Sequence, residues 1–184
     1  MVVIGLMGTN GSGKDVVADY LVEKHGFVSF RSGDISREVA SKRGLKLTRD
    51  NLNVVSKELY AKHGETFFVD TILKKIKDSS VEKAIFNGVR NPVDAKIPLQ
   101  KLGNEYVLVL VDAKPEIRFE RMKKRARPGF PKTLEKFKEH EKREFETFNM
   151  HETFKYTHKI LRNDSTLEEL YSQTEKLVKE LLLI

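Results

Sequence analysis

The sequence has no cysteine in its 184 residues. Disulfides and thiolate zinc sites are therefore excluded, and the expected location is a reducing one, the cytoplasm. Long hydrophobic runs are also missing. No stretch approaches the ~20 apolar residues of a transmembrane helix. The apolar run near the N-terminus is too short for a signal h-region and lacks a basic flank, so no leader is expected. The five histidines, His25, His63, His140, His151 and His158, show no metal-ligand spacing. Internal repeats, low-complexity segments and long linkers are absent as well.

What is present suffices for a folded domain. Hydrophobic residues make up 39% of the chain, enough for a core, and the length suits one compact α/β domain spanning residues 1–184. The net charge of +7 is unevenly placed. Between Lys114 and Arg143 there are 12 Lys or Arg against 5 Glu, and the rest of the chain is balanced. Such a cluster suits nucleic acid, an anionic membrane or a polyphosphate ligand.

The choice among these is guided by residues 8 to 15, Gly8-Thr9-Asn10-Gly11-Ser12-Gly13-Lys14-Asp15. They follow the apolar run Val2-Val3-Ile4-Gly5-Leu6-Met7 and precede a helical pattern with Val16, Val17 and Leu21 inside. A strand, a Gly-rich turn and a helix in this order form a phosphate-binding loop. The glycines let backbone N–H groups converge on phosphate oxygens, and the helix N-terminus adds positive potential. Gly8, Asn10, Gly11, Ser12, Gly13, Lys14 and Asp15 are thus candidate ATP-binding residues, with Lys14 reaching the β- and γ-phosphates. One position departs: Asp15 stands where the pattern has a Ser or Thr hydroxyl for Mg²⁺. Polyphosphate becomes the economical partner for the basic segment, ahead of nucleic acid or membrane.

Four further strand candidates are Phe27–Phe30, Lys83–Asn87, Tyr106–Val111 and His158–Leu161, separated by helical patterns. That alternation predicts a five-stranded parallel sheet with helices on both faces. A helix follows Ser32-Gly33-Asp34 and closes at Gly44. Helical patterns at Asn51–Lys62 and Thr66–Ile76 fill an interval too long for one crossover, which predicts a small helical insertion over about 33–78. Ala126–Pro131 breaks a helix carrying Arg118 to Arg125 and predicts a mobile tip between two basic helices, within a segment of about 118–145. Phe145, Phe148 and Phe154 are expected to pack an amphipathic helix. Asp164-Ser165-Thr166 is expected to cap a final helix, with Glu168 at capping-box spacing from Ser165.

Ser32-Gly33-Asp34-Ile35-Ser36-Arg37 resembles the S/T-G-D-x-x-R signature of adenylate kinases and related nucleoside-monophosphate kinases. Gly88-Val89-Arg90 resembles that family's D-G-x-x-R segment in role, one residue shorter. Arg121 and Arg125 match its R-x-x-x-R at the start of the lid, and Arg143 resembles the lid's returning arginine more loosely. The resemblance runs through all five strands and is closest to small archaeal adenylate-kinase-related proteins, themselves similar to dephospho-coenzyme A kinases. It implies a P-loop kinase with an acceptor-binding insertion and a short basic lid. Ser32, Arg37, Gly88 and Arg90 would bind the acceptor. Arg121, Arg125 and Arg143 would close over the donor phosphates. The physical logic agrees, because phosphoryl transfer needs reactants held in line and charge neutralised, and arginine forks phosphate oxygens bidentately.

Asp34 has three open jobs: holding Mg²⁺ through water, acting as a base, or capping the following helix. Asp15 and Asn87 reverse an arrangement that relatives commonly show, a carboxylate at the end of the third strand and a hydroxyl in the loop. Mg²⁺ accepts carboxylate oxygen readily, so Asp15 would be the ligand and Asn87 its neutral partner. Asn163 lies where related kinases border the adenine, and equally suits a turn and helix cap. The expected reaction is transfer of the γ-phosphoryl group of ATP–Mg²⁺ to a nucleoside monophosphate. Dephospho-coenzyme A kinase is the nearest rival, weakened because Ser32 replaces the first acid of that family's D-A-D. A nucleotide-binding regulator or nucleic-acid-associated ATPase is the rival from another class.

Overall fold

Alternate residues of the three central strands feed two different apolar layers. The computed structural model describes residues 1–125 and 130–182. Its strands are β1 (Val2–Met7), β2 (Val28–Arg31), β3 (Lys83–Asn87), β4 (Tyr106–Asp112) and β5 (Lys159–Arg162). They form one parallel sheet in the order β2-β3-β1-β4-β5. Val3 and Met7 of β1, Ala84 and Phe86 of β3, and Leu108 of β4 face one layer. Ile4, Leu6, Ile85, Val109 and Val111 face the other. The period of two is the pleat expressed as packing, and it leaves the central strands apolar on both faces.

The helices cover those layers. Helix α1 (Lys14–His25) and α9 (Leu167–Leu182) pack on the second layer through Val17, Leu21, Leu170, Leu177 and Val178. Between β2 and β3 lie α2 (Ser32–Lys42), α3 (Arg49–His63) and α4 (Phe67–Ser79). Their Ile35, Val55, Leu59, Phe68 and Ile72 join the first layer together with Val3 and Phe86. The helices of the interval thus share the sheet's core and have none of their own. Helix α5 (Pro92–Leu102) and a 3-10 turn (Gly103–Glu105) lead into β4. Helices α6 (Pro115–Lys124), α7 (Leu134–Phe148) and α8 (Met150–Phe154) lie between β4 and β5.

Helix ends depart from expectation where side chains cap differently. The third helix begins two residues early because Thr48 accepts a hydrogen bond from the Asn51 N–H at 3.3 Å. Helix α2 starts at Ser32, so Ser32, Gly33 and Asp34 form its first turn and Asp34 is not its cap. At α9 the cap is Thr166, which accepts from the Glu169 N–H at 3.3 Å, one residue beyond the expected Ser165–Glu168 pair; Ser165 instead donates to the Glu169 carboxylate.

Helices α6 and α7 are joined by Phe119, Met122 and Phe137, with Phe130 and Leu134 packed against them. Buried Arg118 pairs with Glu141 across them and donates to the Ala113 carbonyl at 2.7 Å. Residues 126–129 of the expected tip, and the last two residues of the expected terminal helix, lie outside the described residues. Among the described residues no helix is long and apolar enough to cross a membrane.

Candidate functional site

Because all five strands run parallel, their C-terminal ends share one edge, where ligands of open α/β sheets bind. The Gly8–Gly13 loop leaves β1 there and enters α1 at Lys14. Gly11 and Gly13 have φ of 83° and 99°, values L side chains rarely adopt. A Cβ at Gly13 would fall 2.1 Å from the Asn163 amide nitrogen. These glycines give the loop its turn and let Asn163 lie against its backbone. The Thr9 and Ser12 hydroxyls are buried with no hydrogen-bond partner among the described residues.

Lys14, Asp15 and Asn87 form a closed triangle. The Lys14 ammonium donates to Asn87 Oδ1 at 2.6 Å and to Asp15 Oδ1 at 2.8 Å. Asn87 Nδ2 donates to Asp15 Oδ1 at 3.2 Å. Burial lowers the pKa of Lys14, against the raising effect of Asp15, and the charges of Arg90 and Arg31 lower it further. For Asp15 burial acts upward, but Lys14, the Asn87 hydrogen bond and Arg31 outweigh it and hold the carboxyl below its usual range. Asp15 is therefore ionised beside a lysine held at the end of β3. The donor set is one carboxylate and one amide oxygen, hard ligands of the type Mg²⁺ takes, and they already face a cation. These two residues fit the metal; Asp34, exposed in the first turn of α2, shows no contact to them among the described residues.

Asn163 follows β5 and is 2% exposed. Its Nδ2 donates to the Ser12 carbonyl at 2.7 Å. Its Oδ1 and its carbonyl accept from Arg121 Nη2 at 3.1 Å and 2.9 Å, and Arg121 Nη1 lies 3.4 Å from the Gly11 carbonyl. Both ends of the Asn163 amide are engaged within the protein. The side chain braces the loop. Of the three arginines expected over the donor phosphates, Arg121 reaches the loop. Arg125 ends α6, exposed, and Arg143 is exposed with its own helix's Glu139 carbonyl as its hydrogen-bond partner at 3.4 Å. Neither side chain contacts the loop among the described residues.

Among the residues expected to bind the acceptor, Arg37 lies back over its own turn. Its Nη1 is 2.7 Å from Asp34 Oδ1, and a Cβ at Gly33 would meet it at 3.1 Å. Ser32 opens α2 behind them. Gly88 and Val89 continue the ladder, donating to the Leu6 carbonyl at 3.0 Å and 3.2 Å. Arg90 is held from behind by buried Asp94, whose Oδ2 accepts from the Arg90 and Asn91 N–H groups at 3.1 Å and 3.0 Å. Burial pushes the Asp94 carboxyl up to about 6, despite these hydrogen bonds and the Arg90 charge.

Three site residues escaped the sequence reading. Arg31 ends β2, bonds Asp19 at 3.1 Å and adds its charge at Lys14. Asp94 was findable, since Asn91-Pro92 with an acid three residues after Asn91 is a helix-start pattern. Glu144 of α7, 2.9 Å from Asn10 Nδ2 and 3.9 Å from Arg90 Nη1, left no local signal among the many charges of its helix.

A family model described as an AAA domain matches residues 4–149. A UPF0200 protein of Hyperthermus butylicus is 33% identical over 179 residues, covering 97% of this chain and 94% of that one. A UPF0200 protein of Pyrococcus horikoshii is 31% identical over 183 residues, covering 98% and 97%. Among solved structures, a shikimate kinase from Bacteroides thetaiotaomicron superposes with a TM-score of 0.62 at 16% identity, covering 100% of this chain and 99% of that one. A gluconokinase from Sinorhizobium meliloti gives 0.57 at 15% identity, covering 99% and 96%. The fold is that of P-loop kinases, and by these matches the chain belongs to the AAA domain family and to the UPF0200 proteins.

Proposed function

We propose that this protein is an ATP-dependent phosphotransferase that carries the γ-phosphoryl group of ATP–Mg²⁺ to a nucleoside monophosphate, with an AMP-like acceptor favoured. The carrying observation is that one carboxylate spans the loop and Arg90: Glu144 lies 2.9 Å from Asn10 Nδ2 and 3.9 Å from Arg90 Nη1. Donor loop and acceptor arginine thus stand close enough for the two polyanions to meet. Lys14 would neutralise the β- and γ-phosphates, and the Thr9 and Ser12 hydroxyls are donors suited to phosphate oxygens. Asp15 and Asn87 would hold Mg²⁺, which supplies further neutralisation of the phosphates when bound. Arg90 and Arg37 would take the acceptor phosphate, with residues 33–78 as the acceptor-binding part. Residues 118–145 would form the lid, Arg121 at its base and Arg125 and Arg143 brought in by closure. The acceptor needs no strong base, because a phosphate monoester with a second pKa of about 6 is already dianionic at neutral pH.

A second reading has its own support. The exposed Asp34 carboxylate, paired with Arg37 at 2.7 Å, would serve as a base for a hydroxyl acceptor. The solved neighbours named as a shikimate kinase and a gluconokinase suit that reading, and dephospho-coenzyme A is its candidate from the sequence. Coupled assays with nucleoside monophosphates, dephospho-coenzyme A, shikimate and gluconate decide between them. Turnover of a monophosphate that survives Asp34→Asn supports the first reading. Turnover confined to a hydroxyl acceptor and lost in Asp34→Asn overturns it. Salt-sensitive RNA binding without turnover of any acceptor would favour a nucleic-acid-associated ATPase.

A further inference from the structure

One carboxylate reaches both the phosphate loop and Arg90. Glu144 Oε2 accepts from Asn10 Nδ2 of the phosphate loop at 2.9 Å. Its Oε1 lies 3.9 Å from Arg90 Nη1 on the acceptor side. Phe148, four residues on and so on the same face of α7, places its ring 5.2 Å from the Arg90 guanidinium carbon. Thr153 of α8 donates to the Arg90 carbonyl at 2.8 Å. The α7–α8 segment therefore grips Arg90 at three points, and only Glu144 also reaches the loop. The contact is built for exchange: the Glu144 side chain is 25% exposed and that of Arg90 52%. An ion pair this open and this long is weak, so an incoming phosphate can replace it.

We propose that Glu144 is a coupling residue that links the filling of the donor and acceptor sites. It rests on the reading of Arg90 as the acceptor arginine. In the structure, Glu144 occupies with its negative charge the partners that donor and acceptor phosphates would use. A donor phosphate engaging Asn10 removes the hydrogen bond at 2.9 Å. The weaker pair with Arg90 then remains alone, and the carboxylate is repelled by the phosphate that has arrived. Arg90 is released to the acceptor. In the other direction, an acceptor phosphate that takes Arg90 frees Asn10 for the donor. The first ligand bears the cost of moving Glu144 and the second does not. Each therefore tightens the other by the same factor, as linkage requires. Phe148 and Thr153 keep Arg90 in place throughout.

The test is calorimetric titration of the whole protein with AMP and with the non-hydrolysable β,γ-imido analogue of ATP plus Mg²⁺, each alone and each with the other saturating. For wild type the expected coupling is about 3- to 10-fold, the scale of one exposed ion pair and hydrogen bond. Glu144→Ala should bind each ligand alone more tightly by about that factor, with coupling falling to about one. Glu144→Gln keeps an acceptor for Asn10 but removes the charge at Arg90. It should tighten AMP and leave the donor analogue nearly unchanged, a split that a merely structural role would not produce. Unaltered or weaker donor binding in Glu144→Ala overturns the proposal, as does coupling that persists in that variant. If AMP binds none of the three proteins, the acceptor reading fails. The donor arm still decides Glu144's hold on Asn10: tighter analogue binding in Glu144→Ala supports it and unchanged binding removes it.

Discussion

The Lys14 ammonium lies 2.6 Å from the Asn87 side-chain oxygen. The end of β3 thus holds the loop lysine that the end of β1 presents, and Asp15 closes the triangle at 2.8 Å. Under the proposed function Lys14 must exchange both partners for phosphate oxygens. Lys14→Ala should lower kcat by about 10²-fold or more, the scale for removing one preorganised charge partner of a transition state. Circular dichroism should show the fold intact, because Lys14 belongs to no apolar layer and its one buried partner is Asn87. Near-normal turnover in that variant would remove the lysine from the mechanism.

Asp15 beside phosphates is favourable only with a cation. Two like charges about 4 Å apart at an effective dielectric near 20 repel by about 4 kcal/mol. In the structure Lys14 serves as that cation. Under the proposed function Lys14 turns to the phosphates, and Mg²⁺ would take its place beside Asp15. Asp15→Ala should raise the Mg²⁺ concentration for half-maximal rate and lower kcat at saturating ATP. Asp15→Ser with Asn87→Asp should restore part of the loss. Initial rates across a Mg²⁺ titration provide the check, and an unchanged requirement in Asp15→Ala would leave Asp15 as a helix-start residue stabilised by the dipole.

Arg37 and Arg90 are expected to raise the acceptor KM when either becomes Ala, with donor affinity little lowered. Their partners predict a difference. Arg37→Ala leaves exposed Asp34 unpaired, at little cost to stability. Arg90→Ala also removes the guanidinium from Phe148 and Glu144, so it should tighten donor binding slightly by weakening Glu144's hold. Donor affinity that collapsed in both variants, with the acceptor untouched, would reverse the site assignment.

Asn163→Ala tests the brace beneath the loop. It deprives the buried Ser12 carbonyl of its partner and removes one acceptor of Arg121, which keeps the Asn163 and Gly11 carbonyls. Leaving the Ser12 carbonyl unsatisfied costs about 1–3 kcal/mol. The urea midpoint should fall with the m-value unchanged, and affinity for the ATP analogue should weaken as Arg121 and the loop lose their common support. Stability equal to wild type would show that the bracing is dispensable.

Asp94 predicts a pH dependence of known sign. Its carboxyl rises from 3.8 in the unfolded chain to about 6 in the fold. Between these values the folded state binds more protons, so Asp94's contribution is full below about pH 4 and lost as pH rises through about 6. Burial drives the rise, and the two backbone N–H hydrogen bonds and the Arg90 charge oppose it. The stability difference between wild type and Asp94→Asn should therefore shrink by about 2–3 kcal/mol from pH 4 to pH 7. Chemical denaturation of both proteins across that range measures it, and a constant difference would mean that Asp94 titrates normally.

The sequence by itself determined the parts whose physics is local. The strand Val2–Met7, the Gly-rich turn and the helix from Lys14 are written in consecutive residues, because pleat period, glycine backbone freedom and helix phase act over a few positions. Lys83–Asn87 was legible to the residue for the same reason. Only the tertiary structure decided what those elements hold. The inserted helices share the sheet's core because Ile35 and Phe68 meet Val3 and Phe86, a matter of helix placement that spacing does not encode. Asn163 became a brace when the order β1-β4-β5 brought the end of β5 under a loop 151 residues away in sequence. In α7 the arginine that pattern singled out, Arg143, stays at the surface. One residue on, about 100° around the helix, Glu144 reaches Asn10 across 134 residues of chain. Helix rotation against the sheet edge selects between such neighbours, and that rotation is fixed by the packing of α7's Phe137 on Phe119, Met122 and Arg118 of α6 and by the pairing of Arg118 with Glu141.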